Sequence, residues 1–296
     1  MNKTILLTGA TGFLGSHILR RLINDNYNVV ILVRETSDNW RIKDFNGFSI
    51  FVLNPTGSNI ENVFDLYKID MIIHLATEYG RNLPYSSIIE SNVIFPIKLI
   101  EFGIKNKVQL FVNTDSYFGK FKNHSYLAQY VESKQIINNY TKSLLDIKVI
   151  NLRLEHIYGE YDSDNKFITG VMNKMLSNEN VIELTEGLQK RDFIYVKDVV
   201  DAYLIIINNQ HLINNFTEFE VGTGNSITVK EFVMKMQIAC GSKSELLFGA
   251  LDTRANEIQD SKADSTKLIS LGWRPKFVPE TALKKIINIV KDKYSN

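Results

Sequence analysis

Apolar positions fall into two alternating patterns along the first half of the chain. Short uninterrupted runs have the length of strands: TILL (4–7), NVVILV (28–33), FSIFVL (48–53), MIIHLA (71–76), QLFVN (109–113) and KVINLRL (148–154). Between them lie stretches with helical spacing, GSHILRRLINDN, ENVFDLYKI and the long SSIIESNVIFPIKLIEFGIK. Pro96 inside the last one should bend it or mark a helix start. Strands that are apolar on both faces and alternate with helices predict a parallel sheet covered on either side. The expected fold class is α/β, a doubly wound parallel sheet.

The pattern changes after Gly159. Loops lengthen, Asn, Asp and Ser cluster, and the elements become mixed. A helix is expected near 166–177, strands near 181–185 and 192–196, a helix near 198–208 and a strand near 217–221. The run at 204–207 reads as core. A further helix should open at Thr228, whose hydroxyl is the expected N-cap. The second half therefore predicts a smaller, mixed α/β C-terminal domain, with one or two elements returning to the sheet.

Composition narrows the function classes. A formal charge of +1 over 296 residues and a pI near 7.7 provide no field for nucleic acid or an anionic membrane. One cysteine, Cys240, permits neither an internal disulfide nor a cysteine metal cluster, and the five histidines are scattered. No metal site is expected. The opening MNKTILLTGA has too short an apolar run for a signal peptide. No run approaches the ~20 residues of a membrane span. A soluble, cytoplasmic protein is the expectation.

The first strand leads into T-G-A-T-G-F-L-G, residues 8–15, and then into helical periodicity. That context makes a glycine motif informative. Gly9 permits a tight turn, Gly12 lets backbone approach a pyrophosphate, and Gly15 lets helix and strand pack closely. The helix N-terminus offers N–H groups to phosphate oxygens. NAD-preferring proteins place an acid at the end of the second strand to hold the ribose 2′-hydroxyl. Here Val33 and Arg34 occupy that place. A guanidinium grips a 2′-phosphate where a carboxylate would repel it, so the expected cofactor is NADP(H).

Of thirteen tyrosines, Tyr130 alone has lysine four residues on, Lys134 in YVESK. Positions four apart share a helix face. A phenol has a reference pKa of ~10, and a close ammonium favours its ionised form. The pair therefore suits proton transfer beside a nicotinamide. Thr114, at the end of the fifth strand, is placed to bond the same carbonyl oxygen, since ligands of such sheets bind outside the strands' carboxyl ends.

TGATGFLG, HLAT, NTDSYFG, YVESK, RLEHIYG, RDFIYVKDVVDAY, VGTG and LGWRP follow one another as in the extended short-chain dehydrogenases/reductases. The resemblance to this nucleotide-sugar epimerase/dehydratase family covers nearly the whole chain. It implies a Rossmann-type NADP-binding domain over 1–156, with elements returning near 193–224. A nucleotide-sugar-binding domain then takes 157–192 and 225–296, and a homodimer is implied. Carried over residue by residue, Tyr130 is the proton donor, Lys134 modulates its pKa and holds the ribose, and Thr114 is the carbonyl partner. Gly9, Thr11, Gly12, Phe13, Leu14, Gly15, Arg34, Leu75, Ala76, Asn92 and Lys134 are the expected cofactor contacts. His74 is expected to hold a loop above the cofactor. Asp115, Ser116, His156, Asn165, Lys166, Arg191 and Arg254 are the expected substrate contacts, the two arginines on the diphosphate.

Departures from the family pattern narrow the reaction. Dehydratases of this family carry Glu where this chain has Ser116, and serine cannot serve as the base without an activator. R-L-E-H-x-Y-G, N-K-F-I and R-D-F-I resemble the reductases of CDP-4-keto-6-deoxy-D-glucose, with His156 replacing the usual asparagine. The expected activity is oxidoreduction on CH–OH, an NADPH-dependent 4-ketoreduction in deoxysugar synthesis for O-antigen or other surface polysaccharide. Two other readings stay open: a nucleotide-sugar 4-epimerase with tightly bound NAD, and a non-catalytic NADP-binding sensor.

Overall fold

The computed structural model describes residues 3–80, 83–121 and 127–294. The strands are β1 (Thr4–Thr8), β2 (Asn28–Arg34), β3 (Ser49–Leu53), β4 (Met71–His74), β5 (Leu110–Ser116), β6 (Lys148–Leu154), β7 (His156–Tyr158), β8 (Val181–Leu184), β9 (Lys190–Arg191), β10 (Phe193–Tyr195), β11 (Phe216–Val221), β12 (Ile227–Thr228), β13 (Glu245–Phe248) and β14 (Asp260–Ser261). The helices are α1 (Phe13–Asn24), α2 (Asn62–Leu66), α3 (Tyr85–Ile89), α4 (Phe95–Lys105), α5 (Ala128–Lys142), α6 (Phe167–Leu176), α7 (Val196–Asn208), α8 (Val229–Cys240), α9 (Thr266–Ser270) and α10 (Pro279–Tyr294).

Two compact units share this chain. The first comprises Met1–Arg153 and Tyr203–Phe219, the second Leu154–Ala202 and Glu220–Asn296. The returning segment is narrower than the expected 193–224. β10 pairs in parallel with β7 in a small sheet of its own, which takes 193–202 into the second unit.

In the first unit the sheet order is β11-β6-β5-β4-β1-β2-β3. β3, β2, β1, β4 and β5 pair in parallel. All six sequence-expected strands of the first half are present. The central residues of β1, β2 and β4 are buried, as strands covered on both faces must be, whereas β3, at the edge of the sheet, exposes Ile50 and Val52. Leu6, Val30, Leu99, Phe111 and Val149 belong to one apolar cluster, each worth roughly 1.5–3 kcal/mol of burial. The chain winds outward from β1 to β3 on one side and resumes at β4 on the other. This makes a topological switch point at the carboxyl ends of β1 and β4, where such sheets bind ligands.

The 85–105 stretch contains a feature the periodicity does not reveal. A π-helical turn, Glu90–Ile94, joins α3 to α4, and Pro96 lies at the N-terminal end of α4. A π-turn inserts a residue and re-aims the side chains on it. Here it directs Asn92 inward, to 1% exposure.

The second unit is built from small sheets and helices. β9 lies between β12 and β14, and β13 pairs with β8. Phe193 stacks on Phe232 with ring centroids 3.9 Å apart. The carboxylate of Asp192, 0% exposed, accepts from Thr223 N at 2.8 Å, Gly224 N at 2.9 Å and Ala263 N at 3.1 Å. A buried charge is stable only with such donors. Thr228 caps α8 by accepting from Glu231 N at 3.0 Å, as expected. Among the described residues no helix is long and apolar enough to cross a membrane.

Candidate active site

The glycine turn sits at the switch point. Gly9 adopts φ +70°, and a Cβ there would lie 2.7 Å from Ala76 N. A Cβ on Gly15 would meet Gly9 C at 2.7 Å and Ala10 Cα at 2.9 Å, with the Gly9 carbonyl oxygen closer still. Gly12 faces open space apart from that same oxygen at 3.2 Å. The three glycines thus divide the roles the sequence predicts. Gly12 caps α1 without a side-chain acceptor. The first-turn N–H groups of Phe13 and Leu14 are therefore left for an anion.

The turn is braced from β4. Thr8 Oγ1 lies 2.9 Å from His74 Nδ1 and accepts from Leu75 N and Ala76 N, both at 3.2 Å. Burial first, and then the Lys134 charge, push the His74 imidazole down to about 3, so it is neutral. It is a brace, as the sequence implies. Asn92 braces in a similar way. It accepts from Glu78 N at 2.7 Å and donates to Glu78 O at 2.8 Å and Ser133 Oγ at 3.0 Å. Its amide is spent on holding 77–78 against α5.

Arg34 ends β2 with an exposed side chain, and its backbone N–H donates to Ser37 Oγ at 3.0 Å. A second guanidinium, which no sequence motif singles out, lies nearer the glycine turn. Arg41 Nη1 donates to Thr11 O at 3.4 Å, and the same guanidinium lies 4.3 Å from the Trp40 ring centroid. Its only signal in the sequence is an aromatic-arginine pair soon after β2.

α5 brings Tyr130 and Lys134 to one face, as their spacing requires. Both are buried, at 4% and 5% exposure. Lys134 Nζ donates to Thr114 O at 2.8 Å and lies 5.9 Å from the Tyr130 ring centroid. The expected acidification of the phenol is not found. Burial raises Tyr130 well above 10, Tyr79 and Asp115 raise it further, and a hydrogen bond to Ser116 opposes them. Desolvation dominates, and the neighbouring ammonium is itself lowered to about 8 by burial, with Asp115 opposing. Near neutral pH the pair is a protonated phenol beside a charged lysine, the state a proton donor needs.

β5 alternates its side chains, so Thr114 and Ser116 face one side and Asn113 and Asp115 the other. Ser116 bonds the Tyr130 phenol. Thr114 Oγ1 lies 2.6 Å from the hydroxyl of Tyr203 on α7. Two hydroxyls therefore serve the strand end where the sequence singles out one. Tyr79, also unanticipated, packs on Tyr130 with ring centroids 4.9 Å apart. Asp115 is committed elsewhere. It accepts from Ser116 N at 2.7 Å, Asn151 Nδ2 at 3.1 Å and Arg153 Nε at 3.4 Å, and Arg153 continues to Glu218 at 3.0 Å. Substrate contact by Asp115 would first have to break that buried pair.

The remaining substrate-side residues lie in the second unit. His156 opens β7 and is lowered to about 3 by burial and then by Arg191, which makes it a neutral hydrogen-bonding group. Arg191 is 4% exposed. It pairs with Glu257 and donates to Ile258 O at 2.6 Å and Lys190 O at 2.7 Å. The expected phosphate grip is thus turned inward, because a buried guanidinium is stable only when paired. Arg254 and Asn165 are exposed, and Lys166 is half-buried at the N-cap of α6.

A glycine turn at the switch point, with a tyrosine–lysine pair and hydroxyls at the neighbouring strand end, defines an enzyme of the short-chain dehydrogenase/reductase type. The chain belongs to the NAD dependent epimerase/dehydratase family, whose sequence profile matches residues 5–222. It is 38% identical to CDP-abequose synthase of Salmonella muenchen, over 98% of each chain. It is 36% identical to CDP-abequose synthase of Salmonella typhimurium, over 97% of this chain and 98% of that one. Among solved structures it resembles UDP-glucose 4-epimerase of Thermotoga maritima with UDP-glucose. The TM-score is 0.86 at 24% identity, covering 98% of this chain and 99% of that one, and the likeness is one of fold.

Proposed function

We propose that this chain is an NADPH-dependent reductase of a nucleotide-linked 4-keto-6-deoxyhexose, acting on the C4 ketone. The substrate in this reading is CDP-4-keto-6-deoxy-D-glucose, and the product CDP-abequose or its C4 epimer. The relatives named CDP-abequose synthase support the substrate class. The observation that carries the reading is the protonated, buried phenol of Tyr130, bonded to Ser116 where dehydration would need a carboxylate.

The glycine turn, the first turn of α1, the 75–76 backbone and Arg34 would hold NADP(H), with Lys134 on the ribose. They fit it, since Gly12 leaves room for a pyrophosphate and no acid ends β2. When bound, NADPH supplies the hydride. Tyr130 then gives its proton to the C4 oxygen, and Ser116 holds the phenol oriented. Lys134 fixes the Thr114 carbonyl and keeps a positive charge beside the developing oxyanion. Neutral His156, Asn165, Lys166, Arg191 and Arg254 would serve the nucleotide diphosphate, Arg191 by exchanging Glu257 for phosphate. In this reading the enzyme works as a homodimer, a state that sedimentation measures directly.

The test is NADPH oxidation with CDP-, dTDP-, UDP- and GDP-linked 4-keto-6-deoxyhexoses, the product's C4 configuration being read by NMR. Fastest turnover with the CDP sugar is expected. Purification with NAD tightly bound, and interconversion of 4-hydroxy sugars without added cofactor, would replace this reading with a 4-epimerase. NADPH binding with no turnover on any of the four sugars would leave a non-catalytic binder.

A further inference from the structure

Tyr203 interrupts an apolar helix face with a hydroxyl. It is 0% exposed, and that hydroxyl's partner is Thr114 Oγ1 at 2.6 Å. Burial raises the phenol, and the bond to Thr114 only opposes that rise, so the phenol keeps its proton. A phenolic O–H is a better donor and a poorer acceptor than an aliphatic hydroxyl. The favoured arrangement therefore has Tyr203 donating and the Thr114 oxygen accepting.

That direction has a consequence for Thr114. A hydroxyl has one proton and two lone pairs. With one lone pair filled by Tyr203, the Thr114 proton is free for another acceptor. Thr114 is half-buried at the end of β5, beside the backbone carbonyl that Lys134 holds. Its oxygen is also polarised, because a hydroxyl that accepts a hydrogen bond donates more strongly.

We propose that Tyr203 is a positioning residue: it holds and polarises the Thr114 hydroxyl so that Thr114 donates a hydrogen bond to the C4 oxygen of the substrate. This rests on the ketoreductase reading. No bond of Tyr203 or Thr114 breaks in the step. As hydride adds to C4, the transferred proton comes from Tyr130, and the two hydroxyls stabilise the charge that builds before it arrives.

The experiment is steady-state kinetics of the full chain with a 4-keto nucleotide sugar and NADPH. It compares wild type, Y203F, T114V, T114S and the double variants that carry Y203F with T114V or T114S. Y203F removes one buried oxygen and keeps the ring, and circular dichroism checks that it folds. The expected result is a kcat about ten-fold lower, ~1.4 kcal/mol of transition-state stabilisation. KM and NADPH affinity, the latter from fluorescence titration, stay within about two-fold. In the T114V background, Y203F should cost nothing more, because the hydroxyl it acts through is gone. In the T114S background it should cost the same ten-fold. Equal losses with and without the Thr114 hydroxyl, or an unchanged kcat in Y203F, would remove Tyr203 from this role while the ketoreductase reading stands. A wild-type chain that reduces none of the four sugars overturns both.

Discussion

Lys134 makes a quantitative prediction about the cofactor-free protein. Its ammonium is buried, and its pKa falls from 10.5 to about 8, chiefly through desolvation. That difference corresponds to ~3 kcal/mol against the charged form in the fold. Below pH 8 both folded and unfolded states bind this proton, and the penalty is fully present. Between about 8 and 10.5 the folded protein releases it while the unfolded chain retains it. The unfolded state then binds more protons, so this group makes stability rise with pH across that window. Other groups titrate as well, so the wild type is compared with K134M, which has no ammonium. Urea unfolding from pH 7 to 10.5 should show wild type gaining ~3 kcal/mol relative to K134M, with a limiting slope of ~1.4 kcal/mol per pH unit. A difference that stays flat over the window would mean that the ammonium is not desolvated as its surroundings imply. In the active enzyme the same titration has the opposite outcome, because kcat/KM for reduction should fall above pH 8 as the lysine loses its charge.

Three further outcomes follow from the site. Y130F should lower kcat by about 10²–10⁴-fold, the usual share of a general acid, with an unchanged circular dichroism spectrum. Survival of full activity would exclude the phenol as proton donor. G15A should destabilise the fold by ~1–3 kcal/mol, the usual cost of overpacking, because a Cβ at Gly15 meets backbone that cannot step aside. G12A should be milder on thermal melting, and equal melting temperatures would contradict the division of roles. R34A should weaken NADPH about 10–100-fold and leave NADH nearly unchanged, since a hydrogen bond to a charged group is worth ~1.5–3 kcal/mol. Fluorescence titration with both cofactors decides this, and an equal loss for the two would argue against a 2′-phosphate contact.

The first-half strands, the glycine turn and the Tyr130/Lys134 pair are legible in the sequence because each rests on local spacing. Period decides whether a run is strand or helix, and a helix puts positions four apart together whatever surrounds them. The protonation of Tyr130 is not legible in the same way. It depends on how deeply tertiary packing buries the phenol, and burial reverses the direction that the neighbouring lysine alone suggests. The pairing of Arg191 is illegible for a related reason. A guanidinium in a family motif looks available, but Glu257 and Ile258, far along the chain, occupy it. Tyr203 is hidden by its apolar neighbours, and the π-turn that aims Asn92 leaves no trace in the periodicity.

Counting protons at Thr8 settles which tautomer its histidine neighbour adopts. Two amides already fill the lone pairs of that oxygen, so its single hydrogen must point to His74 Nδ1, and the imidazole carries its own hydrogen on Nε2. Acid would place a second hydrogen on Nδ1, facing an atom with nothing left to accept it. Between pH 6.5 and about 3 the folded imidazole therefore stays neutral while the unfolded chain takes up that proton, so acidification across this window lowers the stability of the fold that the latch between the first and fourth strands helps to hold.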